Sequence, residues 1–391
     1  MKLFKSLLVA PAALGLLSPF SVSANEVNIS EISSYSELEN LEFANSFSND
    51  DLNNETLIAG GEGLVDDHDH SFSTTTSAAF TVSGALGYTD DDDPVGGVDQ
   101  DDAVDAAYSF QMDLTTSFTG EDSLAISIDA GTLGGPEGVL EFGDNTSGDG
   151  LVVDGVTYTF PIGDKATAFV GQNTDGSALF TTACVYGGVG DTLSDCGNVN
   201  AGITGGNTSA GAAYDFGSGF TTAVGFQTEA TSVFSEESWD SFAVNAAYTA
   251  DNYAVSLTYG VVESLDANLN LDDEEDKFTA INAYYTPDAE GLPSISVGYE
   301  FGDIGGAAAG ADEQSSFMVG LTWAEVGPGS AGIAAGHTNT NEADDELYMY
   351  EVYYSYPVND SMTVTPLVFT QDAAGDTDDT TGMMVKTTFT F

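Results

Sequence analysis

The sequence predicts an all-β protein, a transmembrane antiparallel β-barrel of about 16 strands with short periplasmic turns and long acidic outer loops. Three observations favour this fold class. Apolar and polar residues alternate along most of the chain, its connections alternate between short and long, and its last ten residues form the alternating strand "GMMVKTTFTF". A terminal strand has an uncovered edge, and the first strand of a closed barrel is the simplest partner for it.

The composition is strongly acidic and limits the possible partners. The chain has 391 residues, with 63 Asp and Glu against five Lys and Arg, which gives a formal net charge of -58. Nucleic acid is therefore an improbable partner, because it requires a basic binding surface. A mean hydropathy near zero is compatible with a membrane, since transmembrane strands alternate lipid-facing and lumen-facing residues.

The N-terminus predicts export, and the chain divides into three parts. Residues 1–24 have a positive start at Lys2 and Lys5, an apolar stretch too short to span a bilayer, and a small-residue cleavage site, as a signal peptide does. Residues 25–70 do not alternate and are rich in acids, Asn and Ser, which predicts a flexible acidic periplasmic lead-in. Residues 71–391 are predicted to form the barrel.

The strands follow one another along the chain, each marked by large apolar residues at alternate positions. In chain order, the residues predicted to face lipid include Phe80, Val82, Leu86; Tyr108, Phe110, Met112, Leu114; Leu124, Ile126, Ile128; Val156, Tyr158, Phe160; Tyr214, Phe216; Phe220, Val224, Phe226; Phe242, Val244, Tyr248; Tyr253, Val255, Leu257, Tyr259; Ile295, Val297, Tyr299, Phe301; Phe317, Val319, Leu321, Trp323; Tyr350, Val352, Tyr354, Tyr356; Met362, Val364, Val368. Less regular strands near 166–171, 277–286 and 331–337 and the terminal strand complete the set of about sixteen. The segment "FTAINAYY" fits either facing.

The connections are sorted by length. "TGED", "PIGDK", "GSG", "ADN", "PDAEGLP", "AEVGPGS" and "PVND" are tight turns, and longer stretches such as "TDDDDPVGGVDQDD" and "ESLDANLNLDDEED" lie between them. Short turns on one side and long loops on the other are typical of a transmembrane barrel with both termini in the periplasm.

The inner faces of these strands are predicted to line a water-filled pore. Besides many Ser and Thr, the predicted pore-lining residues are Asp105, Asp113, Asp129, Glu300, Glu351 and Lys386. A mostly negative lumen predicts a preference for cations. Asp154 shares a strand face with Val156, so the alternation places it toward lipid, near the headgroup region.

Two cysteines lie in one Gly-rich outer loop, the third and longest. In an exported chain, Cys184 and Cys196 are expected to form a disulfide. Free thiols or a metal site are weaker alternatives, because two thiols without a nearby histidine make a poor zinc site.

Several blocks resemble a known family. "LVVDGVTYTFPIGDK", "CGNVNAGITGG", "GAAYDFGSGF", "LPSISVGYEFG", "FMVGLTWAEV", "YSYPVNDSMTVTPLVF" and "VKTTFTF" resemble the cyanobacterial outer-membrane porins called iron uptake porins, which are grouped with the carbohydrate-selective OprB-type porins. The resemblance spans residues 72–391. Members commonly carry a surface-layer-homology domain and a coiled coil before the barrel, and residues 25–70 are too short for both. The chain therefore resembles a short form.

The resemblance implies a trimeric outer-membrane porin that passes small solutes and ions, with carbohydrate or iron uptake as its role. It also implies that the third outer loop folds into the lumen and narrows it; an external flap is the alternative. The expected partners are outer-membrane lipid, lipopolysaccharide, small solutes and cations. Phe389 and Phe391 are predicted to form the signal that the barrel assembly machinery recognises.

Two other classes of protein fit the sequence less well. A secreted acidic β-rich surface or adhesion protein would suit the Gly, Ser, Thr and Asp content, but it has no reason to sort its loops by length. An enzyme is not expected, because the only histidines are His68, His70 and His337 and no nucleophile, base and metal constellation accompanies them. The motif "DHDH" at 67–70 could hold a metal ion, although a solvated tail explains it better. No cofactor is predicted.

Overall fold

A computed structural model of the chain describes residues 76–90, 104–132, 148–188, 193, 195–228, 240–263, 275–305, 307, 312–341, 347–372 and 379–391. In these residues, 16 strands close into one antiparallel barrel, each paired with its neighbours in sequence, which confirms the predicted fold class. The predicted signal peptide, lead-in and "DHDH" motif lie outside the described residues. The strands are β1 (Thr76–Asp90), β2 (Asp105–Thr116), β3 (Ser123–Gly131), β4 (Gly148–Ile162), β5 (Ala166–Gln172), β6 (Thr208–Gly217), β7 (Phe220–Thr228), β8 (Asp240–Thr249), β9 (Tyr253–Glu263), β10 (Glu275–Tyr285), β11 (Ser294–Asp303), β12 (Glu313–Val326), β13 (Gly329–Asn341), β14 (Met349–Asn359), β15 (Met362–Gln371) and β16 (Thr380–Thr390).

The barrel closes where its first and last strands meet. β16 pairs antiparallel with β1, from Thr390 opposite Thr81 to Thr381 opposite Asp90. Beyond β16, the Phe80 and Phe391 backbones exchange two hydrogen bonds of 2.9 and 3.1 Å, and their rings stack at 5.5 Å between centroids. The final residue is thus paired, and no strand edge is left open at the seam.

The two faces of the wall differ as the alternation predicts. Outward-facing apolar residues such as Val224 and Leu257 are about half exposed, whereas inward-facing polar residues such as Ser256 are buried. The ambiguous segment in β10 directs Asn282 inward and Ile281 outward. Among the described residues, no helix has the length and hydropathy needed to span a membrane.

A β-bulge changes the facing of one acidic residue. The register between β3 and β4 skips Asp154, which lies between the paired residues Gly155 and Val153. A bulge redirects side chains away from strict alternation, and Asp154 interacts electrostatically with Asp175 and with the inward-facing Asp113. The expectation that Asp154 points toward lipid is therefore wrong, because an inserted residue breaks the period of two.

The turn between β2 and β3 is held by one carboxylate. Asp122 Oδ1 accepts hydrogen bonds from the Ser117 and Thr119 hydroxyls, at 2.7 and 2.8 Å, and from the Phe118 and Thr119 N–H groups, at 2.9 and 2.8 Å. Tyr158 donates to Oδ2 at 2.8 Å. Burial alone would raise the pKa of Asp122, but these hydrogen bonds outweigh it and lower that pKa far below the usual range.

We expect Asp122→Asn to destabilise the barrel at neutral pH, because the amide cannot replace every accepted hydrogen bond. Because the pKa of the Asp122 carboxyl is lower in the folded than in the unfolded protein, its hydrogen bonds stabilise the folded barrel at pH values above the unfolded pKa of about 3.9. This stabilisation is lost as the pH falls through the folded-state pKa. In urea unfolding, the free energy of unfolding of Asp122→Asn should be lower than that of the wild type. This difference should stay constant from pH 7 to about pH 5 and shrink in stronger acid. Glu121→Gln, an exposed change in the same turn, is the control. An equal deficit in the control would contradict this role.

Candidate functional site: the lumen and the third outer loop

The third outer loop, called L3 here, joins β5 to β6, and its described residues, 173–188, 193 and 195–207, lie inside the barrel. Its first half runs along the inner wall, where its N–H groups bond to inward-facing side chains of β7, β8, β9 and β11. These bonds are Gly176 to Gln227 Oε1 (2.9 Å), Thr181 to Asn245 Oδ1 (3.0 Å), Ala183 to Ser256 Oγ (2.9 Å) and Val185 to Ser296 Oγ (3.0 Å). L3 is therefore not an external flap; it occupies part of the lumen.

The returning half of L3 is anchored by one buried carboxylate. Glu300, on the inner face of β11, is 1% exposed. It accepts hydrogen bonds from the Asn200 N–H at 2.9 Å, the Asn200 side-chain amide at 2.8 Å and the Ala201 N–H at 2.8 Å. Nearby, the Asn282 amide donates to the Cys196 carbonyl at 2.7 Å. A buried carboxylate is tolerated only with such partners, so Glu300 serves L3 rather than open water.

A second carboxylate anchors L3 on β14, three strands further around the barrel from β11. The Tyr186 hydroxyl donates to Glu351 on β14, and Glu351 is 5% exposed. Tyr186 belongs to a buried apolar cluster, with Leu193 and Cys196 from L3 and Ala85, Met318, Ala334, Met349, Tyr353, Leu367, Phe369 and Met384 from the wall. One side of the lumen is thus packed and dry instead of uniformly polar.

Glycines allow L3 to approach the wall closely. A Cβ added at Gly298 in β11 would collide with the Cys196 carbonyl oxygen, and one added at Gly225 in β7 would collide with the Gly176 carbonyl oxygen. Backbone can lie this close only where the wall has no side chain.

The structure pairs Cys184 with Cys196 as a disulfide, with Cα atoms 6.4 Å apart and a sequence separation of 12. The bond links the outgoing half of L3 to its returning half. A loop of this size gains roughly 3 kcal/mol from cross-linking in a chain-entropy treatment.

We expect Cys184→Ser/Cys196→Ser to loosen L3 but to leave the barrel folded, because the strand pairs do not depend on the loop. Folding is checked by heat-modifiable gel mobility and L3 by its proteolytic sensitivity, with reduced wild-type protein as the matched control. Mass spectrometry that finds two free thiols in the exported protein would overturn the pairing.

The opposite wall, β2 to β4, stays accessible and is acidic. Asp113 and Asp129 face inward and are partly exposed, and Asp154 is exposed. Asp154 interacts electrostatically with both, and with Asp175 at the start of L3. Asp113 accepts the Ser127 hydroxyl at 2.6 Å. We call Asp113, Asp129, Asp154 and Asp175 the acidic wall. Because these side chains are at least partly exposed while L3 covers the inner face of β7 to β11, we place the open path through the barrel beside them.

The remaining predicted pore residues lie elsewhere. Lys386 faces inward on β16, opposite Ala85, which in turn lies opposite Ala107. Lys386 is therefore in the same row across the strands as Ala107 of β2. Asp113 lies six residues further along β2, roughly 20 Å away, so Lys386 and the acidic wall are at different levels of the lumen. Asp105 begins β2 opposite Gly87, and its side chain lies outside the described residues.

The predicted pore residues thus divide into two groups. Asp113 and Asp129 border the open path, whereas Glu300 and Glu351 are buried against L3 and do not line that path. The uncharged L3 anchors Gln227, Asn245, Ser256, Asn282 and Ser296 are not among the residues predicted from the sequence. A run of uncharged polar residues on the inner faces of β7 to β11 is the signal that could have found them. In the described residues, no three His, Cys, Asp or Glu are grouped to hold a metal ion.

Known structures share this fold. The high-pH structure of Pseudomonas putida OprB aligns with a TM-score of 0.57 and 13% identity, covering 81% of this chain and 94% of that chain. A mutant Rh. blastica porin aligns with a TM-score of 0.52 and 14% identity, covering 81% of this chain and all of that one, 100%. At this identity the likeness shows the fold alone. The chain has the fold of the porin barrels.

No protein-family model matches the chain. The comparison with curated proteins gives no match either.

Proposed function

We propose that the chain is an outer-membrane porin that forms a water-filled, cation-preferring channel for the passive diffusion of small solutes and ions. The observation that supports this function most is L3, which is anchored inside a closed barrel and leaves one accessible wall. A surface or adhesion protein has no use for a loop that narrows an internal passage. Family resemblance suggests a carbohydrate or an iron species as the solute and a homotrimer as the assembly.

The cation preference rests on the charge beside the open path. The acidic wall presents four carboxylates, and the chain has no more than five basic residues in all. Lys386, the basic residue predicted to line the pore, belongs to another level of the lumen. A field of one sign along a pore concentrates counter-ions and repels co-ions.

Planar-bilayer recording tests the channel itself. Refolded protein that shows heat-modifiable gel mobility should insert with stepwise, long-lived conductance increments. Protein heated before addition is the control. Folded barrels that never produce steps would contradict the porin function and favour the secreted adhesion protein.

The proposal includes export with removal of residues 1–24, a lead-in over residues 25–70 and recognition of Phe389 and Phe391 by the barrel assembly machinery. Phe391 contributes the last two hydrogen bonds of the β1–β16 seam and is 70% exposed. In the closed barrel its ring stacks on Phe80 and remains accessible to a partner.

We expect deletion of Phe391 to lower the amount of folded barrel in the outer membrane severalfold at native expression. Phe391 has two proposed roles: its backbone closes the β1–β16 seam, and its ring is recognised by the assembly machinery. Phe391→Leu separates them, because it keeps the backbone hydrogen bonds and removes only the ring. Membrane fractions analysed by gel mobility give the measurement. Unchanged assembly of both variants would refute the proposal that Phe391 is part of the assembly signal.

A further inference from the structure

A groove of about 550 Å³ crosses the outer face of β12, β13 and β14 and reaches β15 and β16. In the register of the sheet, Val319 lies opposite Ala335, and Ala335 lies opposite Tyr350. The small side chain of Ala335 therefore lies between two larger ones. Leu321 and Val352 extend the apolar walls.

The groove belongs to the outer half of the barrel wall. It reaches Thr370 and Thr381, and Tyr350, Thr370 and Thr381 form one row across β14, β15 and β16. Each of these three residues is the second from the loop-side end of its strand. The threonine end of the groove is therefore at the level where an outer leaflet has its headgroups.

The lining indicates what can fill the groove. It is almost wholly apolar, and Glu351, the acidic residue among the lining, has its carboxylate on the inner side with Tyr186. A groove without hydrogen-bonding groups along its length does not hold ordered water well. Apolar cavities of about 150 Å³ bind benzene, so this larger groove has room for a longer hydrocarbon.

We infer that the groove binds one acyl chain of an outer-leaflet lipid, with the lipid headgroup beside Thr370 and Thr381. The groove is continuous with the outward apolar surface of the barrel, which contacts hydrocarbon in the proposed membrane location. The inference rests on that location but not on the solute or the selectivity of the pore.

Native mass spectrometry of the full-length folded barrel, with dimyristoyl phosphatidylethanolamine as the probe, tests the site. Wild-type protein should retain one more lipid per barrel than Ala335→Phe, whose ring fills the groove. Ala246→Phe is the matched control, because Ala246 is exposed on the outer face of β8, away from the groove. It should retain lipid as the wild type does. Equal lipid counts in all three proteins would overturn the inference.

Further measurements keep the result unambiguous. If Ala335→Phe fails to fold by gel mobility, Ala335→Leu narrows the groove with less bulk, and the same comparison applies. Conductance of the variant should equal that of the wild type, because Ala335 faces away from the lumen; a failure of the porin function would instead appear in the wild type. A disulfide between two Ala335→Cys copies in the membrane would assign the groove to a second copy and overturn the lipid site.

Discussion

Glu300→Gln should release the returning half of L3 and make the pore wider and noisier. The glutamine keeps the shape of the side chain but loses the charge that attracts three donors from Asn200 and Ala201. Hydrogen bonds to a charged group are worth about 1.5–3 kcal/mol each and neutral ones about 0.5–1.5 kcal/mol. Replacing three charged bonds by neutral ones should therefore weaken the docking of L3 by about 3 kcal/mol in total. The barrel itself should remain folded, because its strand pairs do not involve Glu300 side-chain atoms.

Single-channel recording measures this effect as a larger mean conductance and more frequent excursions. Asp303→Asn is the matched control, because Asp303 is exposed on the outer face of the same strand. Gly298→Ala should act in the same direction by pushing L3 off the wall, whereas Gly84→Ala should not, since its added Cβ meets nothing within 4 Å. Wild-type conductance and noise in both Glu300→Gln and Gly298→Ala would show that L3 does not constrict the pore.

Removal of two charges from the acidic wall should reduce the cation preference. In water, a unit charge at roughly 8 Å from a passing ion contributes about 0.5 kcal/mol, which is roughly a twofold factor in local ion concentration. The same charge lowers the local anion concentration by the same factor, so each charge changes the cation-to-anion ratio roughly fourfold. Asp113→Asn/Asp154→Asn should therefore lower the cation-to-anion permeability ratio roughly sixteenfold in dilute electrolyte. Asparagine can still accept the Ser127 hydroxyl at position 113, so the wall keeps its shape.

Reversal potentials across a salt gradient give the permeability ratios. Glu290→Gln, an exposed change in the periplasmic turn between β10 and β11, removes one charge far from the acidic wall and should have little effect. Lys386→Glu should strengthen the preference slightly. If Glu290→Gln lowers the ratio as much as the double variant does, selectivity comes from net charge and not from this wall.

The barrel could be predicted from the sequence because the alternation of apolar and polar residues and the lengths of the loops are local properties of the chain. The seam between Phe80 and Phe391 follows from them, since a closed sheet must pair its two ends. The facing of Asp154 could not be predicted in this way. One inserted residue reverses the facing of a strand, and nothing in the residue types around Asp154 marks the bulge.

The carboxylates of the lumen show a second limit. Asp113 and Glu300 both occupy inward-facing positions, yet one borders the open path and the other is sealed beneath L3. The difference depends on where a loop distant in sequence packs, and that packing relies on Gly298 and on hydrogen bonds between residues about a hundred positions apart. Such contacts have no local pattern. The resemblance to a known family, rather than the residues of L3 themselves, implied the inward fold of the loop.

The salt dependence of the wild-type reversal potential is the most direct test of a cation-preferring porin. The Debye length falls from about 30 Å at 0.01 M to about 3 Å at 1 M, so the acidic wall should act across the open path only in dilute electrolyte. We predict strong cation preference at low salt that weakens steadily as ionic strength rises. Anion preference at low salt, or a preference that does not change with salt, would contradict the account.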